Sequence, residues 1–488
     1  MKHLICLTVI IGLALCPASR ADGKPKPTKM EVLQKMVAEL PALKTPHGTH
    51  LPLFVWEAGD VPLADEAAAE QLLKDLDARG IAVYSSWNPA GGDKALADNI
   101  KFAKLQQKLG LIVAVNANSV LQNIYGGQKP EDVGHLDADG KPFMDNSQTF
   151  IQLGCPFRIE GRIEAIRKQT DAIVKAYKDA GVPIGFTFAD FEFDGPLEWG
   201  KGWDCSKKCK VCREKIKDIE DFTAYQKAVR EQRAKLQKQA YAEPILKASA
   251  DALVGNYGVY PNDGFRYWFD FFEKDPPEGA PTKAEGKAKI RPWSQEFPLT
   301  GFTYAMPVEF IRFRAHEWYD FDNMDYRWFR SVMLTVNNAG KSAPAGTPVV
   351  AWVHSGMMDA PPKADPAIKP INDGKYQEFL FHAMMRHHDS FFCFASGLDA
   401  VGEMMLVQAV YGNAMEYRDY LEKGEVVSWD LPEKPGPVIS AIKLGNSLLV
   451  RRTDFTDDKE PVTLKIGDKT ISVPRADGKC QVIPLGDK

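Results

Sequence analysis

Short apolar runs alternate with longer stretches whose apolar residues recur every three or four positions, and this alternation holds from Leu51 to about Leu421. Leu51 to Glu57 reads as a strand ending in Trp-Glu. Ala64 to Arg79 reads as an amphipathic helix stopped by Gly80, a residue suited to a helix C-terminus. The couple recurs as Ile81 to Trp87 with Lys94 to Leu109, as Leu111 to Asn116 with Ile159 to Asp179 after a long loop, and as Ile184 to Glu192 with a charged helical region from Cys212 to Ala250. Ala252 to Tyr257 is a fifth strand. Gly301 to Met306 precedes a helix over Asp325 to Asn338, Pro348 to His354 precedes Tyr376 to His388, and Phe391 to Ala395 precedes Val401 to Leu421. The pattern predicts an α/β fold with eight strand–helix couples, a (β/α)8 TIM barrel. An open doubly wound sheet has the same local signature, and the count of eight favours closure.

Outside that region the pattern changes. Residues 22 to 50 are rich in Lys and Pro, with one amphipathic stretch from Met30 to Leu40, and form a lead-in segment. Lys2, the apolar run Leu4 to Leu15 and the small residues before Ala21 predict a signal peptide over residues 1 to 21, hence a secreted or periplasmic protein. Leu15 precedes Cys16 where a lipoprotein site needs a small residue. Pro432, Pro435 and Pro437 mark a linker near the end of the barrel region, residues 51 to 425. Beyond it, Val438 to Leu444, Ser447 to Thr453, Pro461 to Ile466, Thr470 to Val473 and Lys479 to Leu485 predict a small C-terminal antiparallel β domain, sandwich-like, over residues 426 to 488. Exposed aromatics are scarce there, so its expected role is structural.

Composition narrows the partners. The 488 residues carry a formal charge of −4 and are 44% hydrophobic, enough for one large core and a smaller one. Charges are interspersed without basic clusters, which argues against nucleic acid, and no later segment is long and apolar enough to span a bilayer. With Cys6 and Cys16 in the signal, Cys155, Cys205, Cys209, Cys212, Cys393 and Cys480 remain. Cys205, Cys209 and Cys212 have the spacing of a radical-enzyme iron–sulfur loop, which an exported chain and a mid-barrel position argue against. A disulfide and a small thiolate metal site both stay open.

The chemistry concentrates after the fourth strand. Asp190, Glu192 and Asp194 alternate with Phe191 and Phe193, so at period two the acids share one strand face and the phenylalanines the other. Crowded carboxyl groups split their acidities, leaving one protonated as a general acid beside an ionised neighbour, as glycoside hydrolysis requires. An Asp-x-Glu-x-Asp run also suits a solvated strand end or a hard cation. In a barrel the carboxyl ends of the strands carry the site. Those ends hold Glu57, Trp87, Asn116, Tyr257, Tyr260, Tyr304 and Trp352, where aromatics offer flat faces to sugar rings and Asn, Tyr and carboxylates bind hydroxyls. Trp87 and Trp352 equally suit core packing, and His354 a hydrogen-bonded wall. Residues 318 to 329 and 265 to 272, rich in aromatics, read as loops packed over the barrel.

Asp190 and Glu192 at the end of a fourth strand, the stretch Gly255-Asn-Tyr-Gly-Val-Tyr-Pro-Asn-Asp263 after the fifth, and the later Tyr304-Ala-Met-Pro307 and Val350-Ala-Trp352 resemble, in order, the hyaluronidase family of glycoside hydrolases and, more distantly, chitinase-type barrels. The resemblance covers residues 51 to about 423 as pattern. Phe191 and Phe193 stand where the hyaluronidase motif usually has Trp, and Thr187 and Ala189 where chitinases have Asp. It implies Glu192 as general acid, Asp190 as the carboxylate that orients a substrate acetamido group, and Tyr257 or Tyr260 beside that group. Asp194, Glu57, Tyr304, Trp352, Trp87 and Asn116 complete the expected binding residues. A carbohydrate substrate is expected, with no cofactor and no catalytic metal. A non-catalytic polysaccharide-binding protein of the envelope is the alternative. A metal-dependent hydrolase would need converging histidines, and His354, His382, His387 and His388 lack the spacing of a known set.

Overall fold

The computed structural model describes residues 27–56, 58–121, 129–146, 152–190, 200–266, 283–285, 288–476 and 478–486. The signal segment, Glu57, Glu192 and Asp194 lie outside the described residues. The lead-in contains a helix, Lys29–Glu39, opened by a capping box in which Thr28 and Glu31 exchange hydrogen bonds.

The eight strands that matter here are β1 (Phe54–Val55), β2 (Tyr84–Ser86), β3 (Ala114–Asn116), β4 (Phe186–Ala189), β5 (Leu253–Asn256), β6 (Val308–Arg312), β7 (Val350–Met358) and β8 (Ser390–Cys393). They form two four-stranded parallel sheets, ordered β2-β3-β4-β5 and β1-β8-β7-β6. Hydrogen bonds also cross between the sheets at both edges. Near β1 and β2, Ala82 N–H donates to Leu53 O (2.9 Å) and Asp60 N–H to Tyr84 O (2.9 Å); beyond β5, Thr303 N–H donates to Val254 O (3.0 Å) and Met306 N–H to Val259 O (3.0 Å).

The expected sixth strand is displaced. Residues 303–306 are bonded to both neighbours, with Val350 N–H donating to Ala305 O (2.9 Å), but the regular strand begins only at Val308. Pro307 has no N–H to give the ladder. The helical region after Cys212 is likewise split into Lys210–Lys215, Phe222–Gln237, a π-turn over Lys238–Ala242 and Glu243–Ala248. Pro244 falls where the helix re-forms in its first turn, a position that needs no N–H.

Period two sorts the strand residues. Phe54, Tyr84, Ala114, Phe186, Phe188, Tyr304, Val350, Trp352 and Phe392 share one buried cluster between the sheets. Phe54 stacks on Phe186 with centroids 4.1 Å apart, so rings from the two sheets meet, and within one sheet Trp352 stacks on Phe392 at 4.2 Å. Gly255 admits this packing: a Cβ there would lie 2.5 Å from the Tyr304 ring. The alternate residues Val83, Val115, Val254 and Val353 pack outward on the helices. Tyr319, Tyr326, Trp328 and Phe329 also belong to that outer core, so the aromatic stretch 318–329 is helix packing.

The C-terminal strands Glu425–Ser428, Val438–Leu444, Ser447–Thr453 and Cys480–Pro484 make one antiparallel sheet, and Val462–Ile466 pairs with Lys469–Val473. Alternation again divides the faces. Val438, Ile442 and Leu449 join the core of the larger unit, whereas Ile439, Ala441, Leu448 and Val450 pack under the hairpin. Buried Arg386 ties the units, donating to Ser440 Oγ (2.7 Å), Ile439 O (3.0 Å) and Trp429 O (3.2 Å).

Candidate active site

The strand phase places the predicted residues. Phe186 and Phe188 face the space between the sheets and Thr187 faces out, hydrogen-bonded to Tyr241. Asp190, in step with the phenylalanines and directly after β4, is therefore aimed at the carboxyl end of that interior, where it is half-buried. On the neighbouring strand Ala189 pairs with Asn256, and Tyr257 N–H donates to Ala189 O (2.9 Å), so Asp190 and Tyr257 follow adjacent strands at one level. Tyr257 stands edge-on to Trp352, centroids 5.2 Å apart, and Trp56 lies 5.6 Å from the same indole. Asn116, in step with Ala114, is a half-buried neighbour on β3, in register with Phe188; its side chain accepts from Asn118 N–H (2.9 Å).

The other candidates separate from this group. Trp87 is one residue out of phase: Tyr84 and Ser86 take the inner face, and Trp87 is buried among the helices with its indole N–H on Tyr177 (3.3 Å). Tyr260 belongs to the same outer cluster. Tyr304 is inside but sealed, its hydroxyl donating to Thr187 O (3.3 Å); burial pushes the phenol well above its ordinary range and keeps it protonated. Trp352 is fully buried as the floor beneath Trp56 and Tyr257.

Further polar groups gather at the same ends. His354, two residues beyond Trp352, packs beside Phe310 and Phe394. Its Nδ1 meets Glu403 Oε2 at 2.7 Å, and because a carboxylate only accepts, Nδ1 carries the hydrogen. Buried Glu403 also accepts from Ser355 N–H (2.7 Å) and the Tyr376 hydroxyl (2.7 Å). Asp60 accepts from both the amide (2.7 Å) and the hydroxyl (2.8 Å) of Ser86. Beyond β7, burial raises the Asp359 carboxyl above the ordinary range although Arg312, 4.0 Å away, opposes the shift. Trp56 was legible from its phase with Phe54. Glu403 was not, since it comes from a largely apolar helix, Asp399–Met415, in which a single glutamate shows no partner in the local sequence.

The other three histidines of the set considered for a metal are committed separately: His382 between Ser440 (2.7 Å) and Thr453 (3.0 Å), His388 against Glu309 (2.8 Å), and His387 beside Trp429. Two surface depressions, one lined by Phe321, Asn323 and Phe455 and the other by Val120, Arg162 and Ile166, include none of Asp190, Tyr257 or His354.

No protein-family model and no curated protein matches the sequence. Among solved structures, the chain is similar to a family 36 α-galactosidase from Geobacillus stearothermophilus in complex with raffinose, at 11% identity and a TM-score of 0.43, over 93% of this chain and 58% of that one. It therefore spans little more than half of that enzyme's length. It is also similar to a trehalulose synthase mutant in complex with Tris (10% identity, TM-score 0.44, 89% of this chain and 97% of that one) and to fungal β-1,4-galactanases (13% identity, TM-score 0.33, 70% and 83%).

Proposed function

We propose that the two parallel sheets make one closed (β/α)8 barrel and that the protein is an exported glycoside hydrolase acting at the carboxyl ends of its strands. Hydrogen bonds at both seams support closure. The observation that carries the activity is the placement of Asp190 beside Tyr257, on adjacent strands and above an aromatic floor of Trp352 and Trp56. Glu192, two residues on in the sequence, serves as the general acid that protonates the departing glycosidic oxygen.

On a 2-acetamido sugar the neighbouring amide oxygen attacks the anomeric carbon. Asp190 then holds the amide nitrogen and stabilises the charge it acquires, and the Tyr257 hydroxyl donates to the group. Water completes the reaction after Glu192, now ionised, removes its proton. With a substrate lacking that amide, Asp194 or Glu57 acts as the second carboxylate. A separation of about 5 Å between the two carboxyl groups marks a protein nucleophile, and about 6.5–9.5 Å an inverting base. Reducing-end release from a panel of amino and neutral polysaccharides tests the proposal: activity on at least one that Glu192→Gln abolishes supports it, and binding without release favours an envelope polysaccharide-binding protein.

A further inference from the structure

One cluster at the edge of the α/β unit takes no part in that chemistry. The loop cysteines predicted to act together do not all do so. Cys209 and Cys212 are joined by Cys155, from the long segment between β3 and β4, and by His135, from a short hairpin in the same segment, while Cys205 stands apart beside Asp145. All four side chains are buried, and their ligand atoms lie within 4.8 Å of one another. Cys155 Sγ is 3.5 Å from Cys212 Sγ and 3.9 Å from Cys209 Sγ, and His135 Nδ1 is 3.9 Å from Cys212 Sγ.

We propose that His135, Cys155, Cys209 and Cys212 form a structural zinc site that knots the segment before β4 to the segment after it. A tetrahedral zinc with Zn–S of about 2.3 Å and Zn–N of about 2.0–2.1 Å spaces its sulfurs about 3.8 Å apart and sulfur from nitrogen by about 3.5–3.6 Å. The two sulfur–sulfur separations lie on either side of the first value, and the sulfur–nitrogen separation of 3.9 Å is a few tenths of an ångström longer than the second. A disulfide would hold two sulfurs at about 2.05 Å and leave a third buried thiol and the histidine with no role.

The surroundings fit a closed structural centre. Leu136 N–H donates to Cys209 Sγ at 3.4 Å, the outer contact a thiolate ligand commonly accepts. Arg158 holds the chain beside His135 through Gly134 O (2.6 Å) and Glu131 O (2.8 Å). The His135 ring stacks on Phe143, and its Nε2, also buried, has no hydrogen-bond partner among the described residues. Trp203, Phe222 and Tyr225 pack with the three cysteines and shut out water. Four protein ligands leave no open position for substrate, and soft sulfur with imidazole suits zinc over the hard cations. Binding displaces the three thiol protons to solvent, with no redox change.

Metal analysis of the full-length protein, prepared without chelator, tests the site. About one zinc per chain is expected in the parent and in Cys205→Ser, and loss of at least nine-tenths of it in Cys212→Ser and His135→Ala. Cobalt reloaded into the chelated parent should show intense tetrahedral bands with thiolate charge transfer, a readout that stands even if the variants fail to fold. Less than about a tenth of an equivalent of zinc in the parent, a disulfide between any two of Cys155, Cys209 and Cys212 in the native protein, or iron with inorganic sulfide in place of zinc would each overturn the assignment. None of these readouts depends on glycosidase activity.

Discussion

Glu403 is the residue whose removal most directly probes how the strand ends beside the proposed site are held. It accepts three hydrogen bonds, each 2.7 Å long, from His354 Nδ1, Ser355 N–H and Tyr376 Oη, in a site almost closed to water. Alanine leaves all three donors unanswered. A buried donor without its acceptor costs about 1–3 kcal/mol, and removing one member of a buried charged network about 3–5 kcal/mol in all. We expect Glu403→Ala to lose about 3–5 kcal/mol of stability by urea denaturation. Glu403→Gln keeps the shape and one good acceptor, and should lose about 1.5–3 kcal/mol. Tyr376→Phe removes a single contact and should cost less than either. An alanine variant within about 0.5 kcal/mol of the parent would refute the claim that this network supports the strand ends.

Two further outcomes follow from the packing and the charges. Trp352→Ala removes a fully buried indole in contact with Trp56, Tyr257 and Phe392, and should cost about 3–5 kcal/mol in equilibrium denaturation; a loss below about 1 kcal/mol would mean that the ring is not the shared floor. Burial alone would lower the His388 pKa, but the charge and hydrogen bond of Glu309 outweigh it and leave it raised above the ordinary histidine value. A raised folded-state pKa stabilises fully below the unfolded value of about 6.5 and is lost as pH climbs through the folded one, so the stability gap between parent and Glu309→Gln should narrow from pH of about 6 to 9. A gap that is constant or widens over that range contradicts the pairing.

Much of this architecture was legible because period two and period three-and-a-half patterns are set by burial, and the strands are buried on both faces. The strands Phe186–Ala189 and Leu253–Asn256 fall inside the apolar runs that predict them, whereas Val350–Met358 runs on past the expected end at His354 and Ser390–Cys393 starts one residue before the expected Phe391. The five predicted C-terminal strands agree to within a residue at their ends, since Asn446, Gly445 and the Ile466–Lys469 turn fix their hairpins, whereas the edge strand Glu425–Ser428 was not predicted. Phase decided the site residues. Asp190, Asn116 and Tyr257 keep step with inward neighbours, whereas Trp87 stands at a strand end but on the wrong face, a distinction that residue type alone does not make. The sixth strand was misplaced because Pro307 interrupts a run that otherwise looks continuous. His135 and Cys155 were unreadable as partners of Cys209 and Cys212: 77 and 54 residues separate them from the cysteine they approach, and such long-range meetings leave no local trace.

The central claim is that one strand end presents a proton donor and a carboxylate to a bound sugar, and turnover by Glu192→Gln and Asp190→Asn measures it most directly. With a polysaccharide that the parent cleaves, both variants should remain folded and bind it, Glu192→Gln should lose at least about a thousandfold in kcat, and Asp190→Asn at least about a hundredfold. Parent-like kcat in either folded variant would contradict the account.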